Sequence, residues 1–209
     1  METKIIRRPR PKNGNALMEL AIISPFLVLL LFGVFSIGMS LSKSIQVSVV
    51  ARDAGAMFMR YIDFSLTANK SIVVRIANGM GMTATAGNGV ELLSQVMAVT
   101  ATECVAGGLT STTCPNIGYT VFIKRQSVGN TALYNSTFGT PAAGVLGTDG
   151  SITAANYLTN ASCRTTNFTT LIALNGGEFA YISEAYFTTP ELDLPGYRNN
   201  TAIYQRAIF

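Results

Sequence analysis

The chain has 209 residues, room for one modest domain beside an anchor and not for two large domains. Its 48% hydrophobic content comes with only 12% charged residues and no histidine, which excludes Ser-His-Asp and Cys-His catalysis and histidine-based zinc sites. The net charge of +4 resides in residues 1–14, while residues 15–209 carry ten basic and ten acidic side chains. The body of the chain therefore has no overall basic character, and no nucleic acid is expected as a partner.

Residues 1–14 form a basic leader in which Lys4, Arg7, Arg8, Arg10 and Lys12 face only Glu2. The segment Leu20–Leu41, LAIISPFLVLLLFGVFSIGMSL, follows without one charge in 22 positions. As a helix it rises ~33 Å, enough to cross a hydrocarbon core of about 30 Å. Ser24, Ser36 and Ser40 are scattered and make no polar face. After the span come only Lys43 and the balanced pair Arg52 and Asp53, so the basic excess predicts a cytoplasmic N-terminus and export of everything after residue 42. An ordinary signal peptide would have a shorter apolar region, about 7–15 residues, before a small-residue cleavage site. Ser36-x-Gly38 and Gly38-x-Ser40 are the nearest pairs to such a site. At the span's edge stands a lone carboxylate, Glu19. It is either a functional group, given what an unpaired charge costs near lipid, or a side chain resting in the headgroups.

The helix is expected to run on past the membrane surface. Val50, Ala54, Met57, Phe58, Tyr61 and Ile62 recur at three- and four-residue spacing, with Arg52, Asp53, Arg60 and Asp63 between them. That stripe suits either bundling of subunits or packing of the chain's own domain. A second helical stretch over about 66–81 places Ile72, Val73, Ile76 and Met80 on one face before Gly79, Gly81, Gly87 and Gly89 break it. Residues 91–99 (ELLSQVMAV) read as a short helix or a strand. Gly118–Arg125 and Phe179–Thr188 are the clearest strands; the second alternates, with Tyr181, Ser183, Ala185 and Phe187 on one side. Ala202–Phe209 is a final strand candidate, and residues 127–176 are rich in turn formers. The fold class is α+β: a long N-terminal transmembrane helix, continuing into an amphipathic helix, packed against a small antiparallel sheet with long loops.

The junction before the span carries a recognisable combination. Gly14 closes the basic leader, and Glu19 is the fifth residue after it, the arrangement of a type IV prepilin signal. Together with the Ser24-Pro25 break, the leucine-rich run, Phe32-Gly33 and the segment Ala51-Arg52-Asp53-Ala54-Gly55-Ala56, it resembles the TadE-like pilus-assembly proteins of tight-adherence systems. The resemblance covers residues 12–60 well. It implies a minor pilin or pseudopilin whose leader is removed after Gly14 by a prepilin peptidase, leaving Asn15 as the new N-terminus. It also implies that Glu19 neutralises the α-amine of a neighbouring subunit. Two positions depart from the pattern: Leu20 stands where the family often has an aromatic, and Asn15 is polar. On this reading the domains are the leader 1–14, the helix 15–63 and an exported α+β domain 64–209. The protein would sit in the inner membrane as a single-pass chain, with entry into a cell-surface pilus to follow. The implied partners are membrane lipid, prepilin peptidase, other pilin subunits and pilus-assembly platform proteins. The alternative is an uncleaved single-span protein whose exported domain binds a surface or partner.

Three cysteines, Cys104, Cys114 and Cys163, fall on the side expected to be exported, where disulfides persist. The short, loop-like stretch between Cys104 and Cys114 makes that pair the first choice of three pairings, with three unpaired buried thiols as the alternative. No Gly-x-x-x-x-Gly-Lys-Ser/Thr loop is present, so the chain is not the ATPase that would drive a pilus. Glu178 and Glu184, expected on one strand face, and Glu191 and Asp193 are acidic candidates read as solvated strand-edge charges, and Asp149 as a turn residue. No catalytic residue, cofactor or metal is expected.

Overall fold

The computed structural model describes residues 13–189 and 202–209. Asn13–Met59 form one helix, α1, of 47 residues. Chain contacts divide the protein into a unit ending at Leu41 and a unit running from Ser42 to Phe209. In the second unit follow α2 (Thr67–Ile76), β1 (Gly89–Ala98), α3 (Ala101–Ala106), β2 (Thr120–Gly129), α4 (Ala154–Thr159), β3 (Phe179–Thr188) and β4 (Ala202–Ile208). The strands form a four-stranded antiparallel sheet in the order β2-β1-β3-β4. The architecture is α+β, as the sequence predicts.

α1 stops at Met59, earlier than the apolar stripe suggests. The amide of Tyr61 donates to Phe58 O at 2.9 Å and that of Ile62 to Met57 O at 3.2 Å. Tyr61 takes φ 63°, so the helix closes in a Schellman motif with tyrosine in the left-handed position glycine usually fills. Tyr61 is consequently 81% exposed and lies off the packed face. The residues that do pack are Val47, Val50, Ala51, Ala54 and Phe58, spaced by three and four along the helix. They meet Phe64, Val73, Ala77 and Met80 from the α2 region and Leu93, Val128, Ala185 and Phe187 from the sheet. Ile72, expected on the buried face of α2, points outward.

The ambiguous segment 91–99 is the sheet's inner strand. β1 pairs with β2 on one side and β3 on the other and is buried almost throughout. A strand covered on both faces loses the polar alternation that would mark it in sequence. β2 begins and ends later than expected, at Thr120 and Gly129, because Gly118 takes a left-handed turn (φ 81°) before it. One face of the sheet meets α1 and α2. The other is covered by the chain between β2 and β3, where Phe138, Val145, Ile152, Leu158 and Phe168 pack on Val96, Phe122, Ala180 and Ile182.

α1 comes very close to β3. A Cβ on Gly55 would overlap the ring of Phe209 and approach Ser183 Cβ to 2.9 Å. The Ser183 hydroxyl donates to Ala51 O at 2.6 Å and also touches Glu91 Oε1. A hydroxyl has one proton to give, so Glu91 must supply the proton between itself and Ser183. Burial is the main cause that pushes the Glu91 carboxyl up from 4.5 to about 8, and the Glu184 charge adds to it. The carboxyl is therefore neutral at pH 7, as the geometry demands.

This fixes a pH dependence. The Glu91 contribution to stability is fully present below its unfolded value of 4.5. Between 4.5 and about 8 the unfolded chain ionises while the folded one does not, so stability falls by up to ~1.4 kcal/mol per pH unit and levels off above. Urea unfolding of the full chain in detergent is expected to show this loss in wild type, and a shallower one in Glu91→Gln. Separately, Gly55→Val is expected to destabilise by about 1–3 kcal/mol through overpacking, read in the same unfolding experiment at pH 6.

Candidate functional site

The most unusual surface is the first unit. From Leu17 to Leu41 large apolar side chains are exposed around the whole helix; Leu17, Leu29 and Leu41, which the helical repeat sets about a third of a turn apart, are 70%, 70% and 62% exposed. A surface helix of a domain hides one stripe, whereas a helix apolar on every side belongs in hydrocarbon. The chain thus has one N-terminal helix long and apolar enough to span a membrane. Pro25 lies inside it and has no amide to give the Ala21 carbonyl, which marks a weak point in the ladder.

The head of this helix holds the residues singled out in sequence. The backbone of Gly14 and Asn15 is helical, in the first turn of α1. Glu19 is exposed between Met18 and Leu20, themselves 69% and 61% exposed. Among the described residues the one ion pair is Lys124–Asp149, at 4.0 Å, so no described cation neutralises Glu19. A single carboxylate at the rim of an all-apolar helix can accept a proton, rest in headgroups or pair with a cation from another chain.

In the second unit the acidic candidates are not brought together. Glu178 lies in the turn before β3, exposed, and accepts from Asn175 N at 2.8 Å and Nδ2 at 2.9 Å; these bonds hold its carboxyl below the usual range. Glu184 contradicts the expectation of a solvated edge charge, being wholly buried. Its Oε1 accepts from the hydroxyls of Tyr134 at 3.1 Å and Tyr204 at 3.0 Å, and its Oε2 from Ser136. Burial with this neighbour pushes the Tyr204 hydroxyl up. Position 184 alternates onto the face covered by the 130–170 chain, a layer whose presence strand patterning does not announce. Asp149 is the turn residue expected: it accepts from Ser151 N at 3.0 Å and Oγ at 2.6 Å. Glu191 and Asp193 lie outside the described residues. No group of three or more metal-ligating side chains occurs among the described residues.

Sequence reading passed over Glu91. Its signal was available: taken as a strand, 91–99 sets Glu91 beside Leu93 on one face, and a charge aligned with core leucine needs a partner or a proton.

Cys104 and Cys114 are bonded to each other, and Cys163 is a buried free thiol, raised by burial. The bridge closes the loop after α3, a helix opened by a capping box in which Thr100 N donates to Glu103 Oε2 at 2.7 Å. Cys104→Ser with Cys114→Ser is expected to cost about 2–4 kcal/mol in urea unfolding, and reducing agent to give the same shift in wild type but none in the double variant.

Residues 14–56 match the family model described as TadE-like protein. The match begins at Gly14, includes Glu19 and the apolar helix, and ends with Ala56 at the close contact between α1 and β3. It bears out the TadE-like resemblance for that part of the chain. No curated protein and no solved structure matches the chain significantly.

Proposed function

We propose that the protein is a TadE-like minor pilin or pseudopilin with a structural, non-enzymatic part in assembling a tight-adherence pilus. The observation that carries this reading is the coincidence of the TadE-like match, residues 14–56, with a helix that exposes apolar side chains on every side and bears Glu19 at its head. In this reading α1 is first held by membrane lipid, with the leader cytoplasmic and the second unit exported. The excess of basic residues before the span supports that orientation, and the Cys104–Cys114 bridge suits an oxidising compartment.

Prepilin peptidase cuts after Gly14 on the cytoplasmic side, leaving the α-amine of Asn15. Glu19 of one subunit then pairs with that amine on a neighbour. Each charge alone would be stranded in an apolar bundle; together they neutralise one another, and the pairing sets the axial register between subunits. Helix association in lipid has no hydrophobic driving force, since lipid is as apolar as leucine. A charge pair and close packing around Gly33 and Gly38, which have open space where a side chain would stand, supply what hydrophobicity cannot. The other pilin subunits and the platform proteins of the assembly machinery are the partners this chemistry requires.

Glu19→Ala is expected to leave the protein in the membrane fraction at wild-type level but to abolish its recovery with sheared pili and to reduce piliation. Glu19→Asp should restore part of it. Normal piliation with Glu19→Ala would contradict the pairing role.

A further inference from the structure

Two adjacent clefts open beside β2. One, of about 200 Å³, lies between Phe64 and Lys70 on one side and the 147–150 turn on the other. The second, of about 190 Å³, is bounded by Leu92, Tyr134, Asn135 and Thr140. Arg125, Gln126, Ser127 and Leu146 line both.

Arg125 is the unusual member. Only 8% of it is exposed, yet its guanidinium makes one hydrogen bond to protein, from Nη1 to Gly139 O at 2.9 Å. The Phe122 ring lies 5.4 Å from it. The Glu184 charge is felt at Arg125, but that carboxylate is occupied by two tyrosines and a serine and forms no ion pair with it. A guanidinium carries five N–H donors and keeps its charge in proteins; one goes to Gly139 O, and no Arg125 nitrogen is both sealed from solvent and without a partner, so the remaining donors are open to the clefts it lines. Lys70, half-buried in the same cleft, has no side-chain partner among the described residues. Apolar side chains, Leu92 and Leu146 among them, form much of the second cleft, and its polar members Ser127, Asn135 and Thr140 spend no side-chain hydrogen bond on the described protein. Asp149 is turned to Ser151 and Lys124 instead.

Two ligand classes fit these clefts poorly. A peptide adding as a strand needs a free edge, but β2 is already bridged at Val121 by Arg164 and at Lys124 by Ser151. A nucleotide base needs an open aromatic face, but the Tyr134 ring is flanked by Tyr186 at 5.1 Å and Tyr204 at 5.3 Å. A saccharide presents hydroxyls that both donate and accept, and an acidic one adds the planar carboxylate that guanidinium binds through two parallel bonds.

We infer that the paired clefts around Arg125 are a binding site for a carboxylated saccharide, its carboxylate held by Arg125 and Lys70 and its hydroxyls by Ser127, Asn135 and Thr140. The site lies wholly in the second unit, so this goes beyond the proposed assembly role and is independent of cleavage at Gly14.

Titration calorimetry on the full chain in detergent micelles tests it with three probes: digalacturonate, the neutral disaccharide galactobiose, and inorganic phosphate. Digalacturonate is expected to bind with a Kd of about 1 mM or tighter, at least about tenfold tighter than galactobiose, a gap of ~1.4 kcal/mol. Phosphate should not displace it at equal concentration. Lys70→Gln, a substitution at a half-buried side chain, should weaken digalacturonate roughly fivefold, as loss of one charge-assisted contact does. Arg125→Lys should abolish binding. Equal affinity for the charged and neutral disaccharides, no binding of digalacturonate, unchanged affinity in Lys70→Gln, or equal displacement by phosphate would each overturn the assignment.

Discussion

The contact of α1 with β3 at Ala51–Gly55 constrains much of the second unit. The helix backbone comes close enough for a serine hydroxyl on the sheet to reach a helical carbonyl, with Ser183 donating to Ala51 O at 2.6 Å. An α-helical carbonyl already accepts within its helix, so this second bond requires that nothing bulky stand between the elements. Hence the small residues Ala51, Ala54 and Gly55 on the inner side, and hence the Phe209 ring where a Gly55 side chain would be. The C-terminal residue is drawn into the same contact through paired bonds of 3.0 and 2.9 Å with Tyr181. Glu91 completes it as a neutral acid beneath Ser183. A buried carboxyl is a costly component, tolerated because its proton leaves the serine free to bond the helix.

The same helix answers to two environments. Up to Leu41 it is apolar on every side; from Val47 onward it hides one stripe and exposes Arg52 and Asp53 on the other. A chain that must first sit in lipid and then pack among like helices needs the first pattern, and a helix carrying a domain needs the second. The TadE-like match, residues 14–56, spans both patterns.

Legibility in the sequence followed the physics of each element. The apolar helix was plain, because 22 consecutive uncharged residues admit few readings. The limits of β3, Phe179–Thr188, are legible in the sequence, since its one-sided alternation survives. β1 was ambiguous because burial on both faces removes that alternation. The end of α1 is not legible in the sequence because Tyr61 occupies a left-handed cap position that glycine usually fills. Among candidate residues, Cys104 and Cys114 could be singled out by their short loop, and they are the bonded pair. Glu184 could not be placed, since its cage comes from Tyr134 and Ser136, some fifty residues away. Arg125 and Lys70 were equally opaque: a cleft assembled from the β2 strand, the α2 helix and a turn leaves no local pattern.

The central claim is that α1 is a processed pilin-type helix rather than a permanent anchor. Intact-mass spectrometry of the protein isolated from cells that contain a prepilin peptidase tests it directly. The account predicts a mature chain beginning at Asn15, with its cysteine bridge in place, and loss of that species when Gly14 is replaced. A chain still beginning at Met1 in those cells would contradict it.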